Sequence, residues 1–156
     1  MKSAIIIILF AFTLIAQNDI MKIQDQELKL GMNIDDVWDV LASKYNVVEE
    51  KDIFYVSDNM NNPVCVVYFK NEKVIKIIKD WGTTYKTNVG QVFKVLWNIF
   101  KEYEKDLDDV KITPQQTFNA QGDKFNLVIT LQENRYLDIS IKFNVTILEV
   151  LEVKQP

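Results

Sequence analysis

The stretch from 64 to 78, VCVVYFKNEKVIKII, carries the strongest fold signal in the chain. Residues 64–69 are apolar at both alternating positions, which is typical of a central strand that is covered on both faces. Residues 70–73 are polar and short enough for a tight turn, and residues 74–78 return as a second β-rich run. The sequence therefore predicts a β-hairpin over 64–78, inside a larger sheet.

Two amphipathic helices are predicted on either side of this hairpin. In the first, Ile34, Val37, Trp38 and Leu41 recur at the spacing of one helix face, after Asn33 as the N-cap. The second begins near Asn88 and presents a wide apolar arc that leaves Val95 on the polar side. The members of that arc are Val89, Val92, Phe93, Leu96, Trp97, Ile99, Phe100 and Tyr103.

Further strands are predicted from alternation. Residues 53–56 form one short run before the central hairpin, and residues 125–131 and 137–147 alternate as a second hairpin. Residues 110–113 and 117–118 are weak candidates around Pro114. Residues 19–30 are a polar lead-in that forms either a short strand or a loose arm, and residues 81–85 interrupt the pattern. The alternation shifts phase over 148–153, which indicates a bulge or another strand.

This order of elements predicts an α+β fold of two α-β-β-β units, with an antiparallel sheet packed on the helices. The two units cover about residues 20–82 and 83–156 of a single exported domain, 17–156. The competing architecture is a single sheet wrapped on a helix, as in cystatin-like or NTF2-like proteins.

Part of the first unit resembles a known family. The matching residues are Leu30-Gly31-Met32-Asn33, Val37, Leu41, the pair Phe54-Tyr55, and Val66, Tyr68, Phe69, Asn71 and Val74. Over Leu28–Ile78 this pattern is similar to the SmpA/OmlA (BamE-like) family, which shares the tandem helix-plus-sheet architecture of β-lactamase inhibitor protein. The resemblance implies that architecture and an envelope location, and it assigns no binding residue. Gln17 stands where the outer-membrane members carry a lipidated cysteine.

The first sixteen residues have the layout of a secretory signal. Lys2 precedes an unbroken apolar run over 4–16, and polar residues begin at Gln17. Such a run is too short to span a bilayer, which needs about 20 residues. We therefore expect a signal peptide over 1–16, a periplasmic or secreted product, and no stable membrane span after cleavage.

Composition argues against several chemistries. The formal net charge is −4 and Arg135 is the only arginine, which disfavours nucleic acid as a partner. The chain has no histidine, the usual general base and metal ligand. Cys65 is the only cysteine and lies in an apolar strand, so we expect a core residue. The acids Asp35, Asp36 and Asp39, like those at 106–109, lack metal-site spacing.

These observations predict a non-catalytic binding protein that holds a protein partner in the bacterial envelope, with no enzyme activity, cofactor or metal. Trp81 and Tyr85 are the candidate partner-binding residues, because they lie where one unit gives way to the next. Aromatic residues are enriched at binding hot spots. Two alternatives remain open: a small-molecule carrier with a helix–sheet cleft, and a hydrolase that uses carboxylates alone.

The export hypothesis predicts that the protein recovered from envelope or culture fractions begins near Gln17. Intact-mass measurement and N-terminal sequencing of that material check the prediction. Recovery of a full-length chain from the cytoplasm would contradict it.

Overall fold

A computed structural model describes residues 19–85, 88–103, 110–117 and 124–153. The predicted signal peptide and the acidic residues 106–109 lie outside these ranges. Within them, no helix combines the length and the apolar character that crossing a membrane requires.

The chain runs through two successive series of elements. The first contains strands β1 (Ile20–Ile23) and β2 (Gln26–Lys29), helix α1 (Ile34–Ala42), and strands β3 (Asn46–Glu50), β4 (Ile53–Ser57), β5 (Pro63–Lys70) and β6 (Lys73–Tyr85). The second contains helix α2 (Val89–Glu102) and strands β7 (Lys111–Thr117), β8 (Lys124–Gln132), β9 (Arg135–Ile141) and β10 (Asn144–Glu152).

The strands form one small and one large antiparallel sheet. Strands β1 and β2 pair as a separate hairpin. The other eight form one sheet in the order β3-β4-β5-β6-β10-β9-β8-β7. The pairing of β6 with β10 therefore joins the two series in a single sheet.

The predicted α+β class, with three strands in each unit, is wrong. The described part of the chain is mostly β, with 58% strand and 20% helix. Each helix is followed by four strands of the large sheet. In the first series the strand that was not predicted is β3, whereas in the second series β7 overlaps the weak candidates at 110–113 and 117–118, and the run over 137–147 contains two strands. Strand β3 is mostly exposed and carries Glu49 and Glu50, and β7 continues through Pro114. Both are edge strands, and edge strands commonly carry charged residues or proline, which weaken the strand pattern in the sequence.

The predicted break at residues 81–85 is also wrong. These residues extend β6, and the irregularity is a β-bulge opposite β10, where the register shifts between Thr146 and Leu148. Gly82 adopts a φ of +102° at this bulge, a conformation that suits glycine. A local turn signal therefore marks a bend within a strand and not its end.

The central hairpin over 64–78 is confirmed as β5 and β6. Asn71 and Glu72, the two central residues of its turn, have φ values of 53° and 61°. A two-residue type I′ hairpin turn requires positive φ at both of these positions. The second hairpin is confirmed only in part. Residues 137–147 are two strands, because the chain reverses at 142–143 between β9 and β10.

Both helices pack on the same face of the large sheet. Along β10, Leu151 belongs to the apolar cluster under α1, whereas Val145 and Ile147 belong to the cluster under α2. These positions are all odd, and alternate residues of a strand share a face. The hairpin of β1 and β2 also packs on this face and buries Met21 and Leu28, so the polar lead-in predicted there is a folded part of the core.

Helix α2 is rotated relative to the predicted arc. Ile99 is fully buried and Val95 packs against the core, whereas Phe93 and Trp97 are 66% and 70% exposed. One sheet cannot cover the whole wide arc. Two contacts at the end of the helix fix its rotation: Glu102 faces Lys79, and Tyr103 donates a hydrogen bond to Glu149. Both contacts lie toward the centre of the sheet.

This rotation predicts opposite outcomes for two truncations in α2. Ile99→Ala removes a fully buried side chain and should lower the free energy of unfolding by about 2–5 kcal/mol. Phe93→Ala removes an exposed one and should change it by less than about 0.5 kcal/mol. Urea denaturation of both variants measures the difference, and a larger loss for Phe93→Ala would contradict the placement of the helix.

Candidate functional site

Trp81, the first of the predicted binding residues, is held in the interior of the helix-bearing face. Its indole Nε1 donates a hydrogen bond of 2.9 Å to Oε2 of Glu149 on the neighbouring strand β10. The Glu149 side chain is completely buried. Trp81 is half-buried and packs against the core under α2. Its indole is therefore engaged within the fold.

Glu149 is the centre of a buried charged network. The Tyr103 hydroxyl, at the end of α2, donates to Oε1 over 2.5 Å, and Arg135 Nη1 on β9 lies 3.6 Å from the same oxygen. Burial raises the pKa of Tyr103 far above its ordinary value, and the neighbouring charge of Glu149 raises it further. The phenol therefore remains a hydrogen-bond donor to the carboxylate.

Lys79 adds a second cation to this network. Its Nζ lies 4.0 Å from Glu149 Oε2, 3.7 Å from Glu102 Oε2 and 3.8 Å from the centroid of the Trp81 ring. Burial lowers the pKa of Lys79, and the two carboxylates oppose that shift. The buried carboxylate of Glu149 therefore has two cations beside it, Arg135 and Lys79. Glu102 is the second anion of the network and lies at its solvent-exposed side.

Two cavities open beside the network, between the hairpin of β1 and β2 and the end of α2. One has a volume of about 200 Å³ and includes Lys22, Glu27 and Arg135 among its lining residues. The other has a volume of about 420 Å³ and includes Lys79, Trp81 and Asp58. Glu102 lines both. Groups of both charges therefore line this cleft.

Tyr85, the second predicted binding residue, lies apart from Trp81. Its side chain is 75% exposed at the end of β6. Thr84 is paired with Val145, which faces the core under α2, so the adjacent Tyr85 points to the opposite, helix-free face. The structure therefore separates the two candidate residues onto opposite faces of the sheet.

The helix-free face carries an apolar row that crosses six neighbouring strands. Consecutive partners in the registers of β3, β4, β5, β6, β10 and β9 are Val48, Tyr55, Val66, Ile78, Val150 and Tyr136. None of the six belongs to either core cluster. Each described helix packs on the other face. Along the row, Val48 and Tyr55 are exposed, Val66, Ile78 and Tyr136 are half-buried, and Val150 is buried.

The row includes Val66, which lies in the strand that the sequence predicted to be central and covered on both faces. Residues 64–69 are apolar at both alternating positions, which predicted that elements would cover both faces of the strand. The strand is central, as predicted, but no helix or strand of the described ranges covers its second face.

Of the residues considered for catalysis and metal binding, the cysteine is buried in the core and the carboxylates of α1 are exposed to solvent. Cys65 is buried in the core under α1, and burial raises the pKa of its thiol to about 12. Asp35, Asp36 and Asp39 are exposed on α1. In the part of the chain that the structure describes, no group of three or more acidic or cysteine side chains is arranged to hold a metal ion.

Comparison of the chain with protein-family models, with curated proteins and with solved structures finds no match. The similarity to the SmpA/OmlA family therefore stays a prediction that rests on the residues between Leu28 and Ile78.

The network around Glu149 predicts different roles for Trp81 and Tyr85. Trp81→Phe removes one donor to a buried carboxylate and should lower the free energy of unfolding by about 1–3 kcal/mol. Tyr85→Ala alters an exposed side chain and should change it by less than about 0.5 kcal/mol. Thermal unfolding of both variants tests this, and an unchanged Trp81→Phe variant would show that the indole contact is dispensable.

Proposed function

We propose that this chain is an exported, non-catalytic binding protein that holds a protein partner on the helix-free face of its large sheet. The apolar row from Val48 to Tyr136 is the observation that supports the proposal. It brings six apolar or aromatic side chains into one line on the face opposite both described helices, and all of them except Val150 are at least partly exposed.

The dimensions and composition of the row suit a protein interface. Five strand spacings of about 4.8 Å give it a length of roughly 24 Å, comparable with one side of a standard interface. Tyr55 is 42% exposed, and Tyr136 is partly exposed at the far end. Tyrosine buries a large area at low entropic cost. The hydrogen-bonded backbone holds the residues in place before binding, which reduces the ordering cost.

Polar groups border the row. In the next register position along the strands, Lys76 pairs with Glu152 at 2.6 Å. On the other side, Asp80, Leu148 and Asp138 are consecutive partners. A central apolar patch with a charged rim is the usual anatomy of a protein–protein interface. Tyr85 points to the same face farther along β6, at the periphery of the proposed surface, whereas Trp81 does not.

The cleft beside Lys79 and Glu102 supports a second candidate function, the binding of a small polar molecule. Its two cavities are lined by groups of both charges, so an occupant would carry complementary polar groups. Loss of partner binding on substitution of the sheet surface favours the first function over this one.

The proposal predicts that the double variant Tyr55→Ala/Tyr136→Ala binds its partner at least about tenfold more weakly, because hot-spot truncations cost about 2 kcal/mol or more. A photoreactive residue at position 55 would first cross-link and identify the partner in cells. Titration calorimetry with the purified partner then measures the change in affinity.

Met60→Ala is the matched control, because Met60 is 80% exposed on the loop between β4 and β5 and lies outside the row. It should bind as the unaltered chain does. Unchanged affinity of the tyrosine variant, with an unchanged melting temperature, would exclude this face as the contact surface.

A further inference from the structure

Helix α2 exposes a stripe of large apolar side chains that the sheet surface does not include. Val89, Phe93 and Trp97 recur every four residues, so they line one side of the helix. All three are more than half exposed. Isolated apolar residues are common on surfaces, but a continuous stripe with two large aromatic rings marks an interaction site.

The apolar surface continues onto the outer strands beyond α2. Ile112 on β7 is the partner of Ile129, which is buried under α2, so Ile112 lies on the same side of the sheet as the helix. Phe125 on β8 shares the alternation of Leu127 and Ile129 and lies on that side too. Both Ile112 and Phe125 are exposed.

Positive charge borders the stripe. Lys94 and Lys101 are three residues before and four after Trp97, so they flank it on the solvent side of the helix. Glu102 is the one acidic residue of α2, and its carboxylate is turned toward Lys79. In a chain whose formal net charge is −4, this helix thus presents lysines and aromatic rings together.

The acidic residues of α1 do not cancel that local charge. Helix α1 packs over β4, β5 and β6, whereas α2 packs over β8, β9 and β10. Strands β5 and β9 are three spacings apart, or about 14 Å. That separation exceeds the Debye length of about 8 Å at physiological ionic strength.

We propose that this stripe binds the surface of a bilayer that contains anionic phospholipids. A helix with aromatic residues on one side and lysines beside them lies at the boundary between headgroups and acyl chains, with its apolar side inserted. Tryptophan is especially favoured at that depth. The stripe projects from the helix-bearing side of the sheet, so the chain can bind a membrane there and a protein partner on its opposite face.

Vesicle flotation with the exported chain, its first residue established by mass, tests the proposal. The chain should float with vesicles of phosphatidylcholine and phosphatidylglycerol and remain in solution with vesicles of phosphatidylcholine alone. Phe93→Ser/Trp97→Ser should abolish flotation. Lys94→Gln/Lys101→Gln should weaken the affinity for anionic vesicles roughly 30-fold, because each lysine near an anionic surface contributes about 1 kcal/mol.

The sheet variant Tyr55→Ala/Tyr136→Ala serves as the control and should float as the unaltered chain does, which separates this inference from the proposed protein-binding function. The helix variants should retain their melting temperature because the altered side chains are exposed. The proposal is overturned if anionic vesicles do not bind, or if both vesicle types bind equally and the lysine variant has no effect. A dimer that depends on Phe93 and Trp97, without vesicle binding, would instead assign the stripe to a second copy of the chain.

Discussion

The buried carboxylate of Glu149 is the constraint on which the centre of the molecule depends. It lies on β10, which pairs with β6 where the two halves of the sheet join, and this junction is called the seam below. Glu149 accepts hydrogen bonds from Trp81 on β6 and from Tyr103 at the end of α2. Arg135 on β9 lies beside it and also donates to the backbone carbonyl of Ile20 on β1. One charge thereby links the helix, three central strands and the small hairpin. A buried charge is tolerated only when it is paired and hydrogen-bonded, so these elements must come together for it to be accommodated.

This network explains why the two faces of the sheet have different properties. The seam contacts hold α2 and the hairpin of β1 and β2 on one side, where they bury the core residues of both halves. The other side keeps a row of apolar residues in register without a covering helix in the described ranges. The two proposed contacts, a protein partner on the open face and a bilayer at α2, therefore use surfaces that do not compete.

The edges of the large sheet are poorly suited to strand addition by a partner. At one end β3 presents Glu49 and Glu50, and at the other β7 contains Pro114, which lacks a backbone donor. Charges and proline are common protections against edge-to-edge pairing. A binding function for this fold is thus better placed on the broad sheet face than on either edge.

Local sequence pattern was sufficient for several elements. The hairpin of β5 and β6 and the alternation in β8 were evident because side-chain period and turn chemistry are local properties. Asn88 as a cap was likewise readable, and its side chain accepts from the amide of Gln91 at 3.2 Å. The edge strand β3 was not predicted and β7 was only a weak candidate, because charged residues in one and proline in the other interrupt the apolar pattern.

Only the tertiary structure decided which side of each element is buried and what the candidate residues do. The apolar arc of α2 was wide enough for several orientations, and the contacts of Glu102 and Tyr103 with the seam select one that exposes Phe93 and Trp97. Trp81 and Tyr85 are close in sequence, but the bulge at Gly82 and the strand pairing place them on opposite faces. The row from Val48 to Tyr136 draws one residue from each of six strands, so it exists only once their registers are set. Sequence patterns report the neighbours of a residue along the chain, whereas burial depends on which distant strand or helix lies beside it.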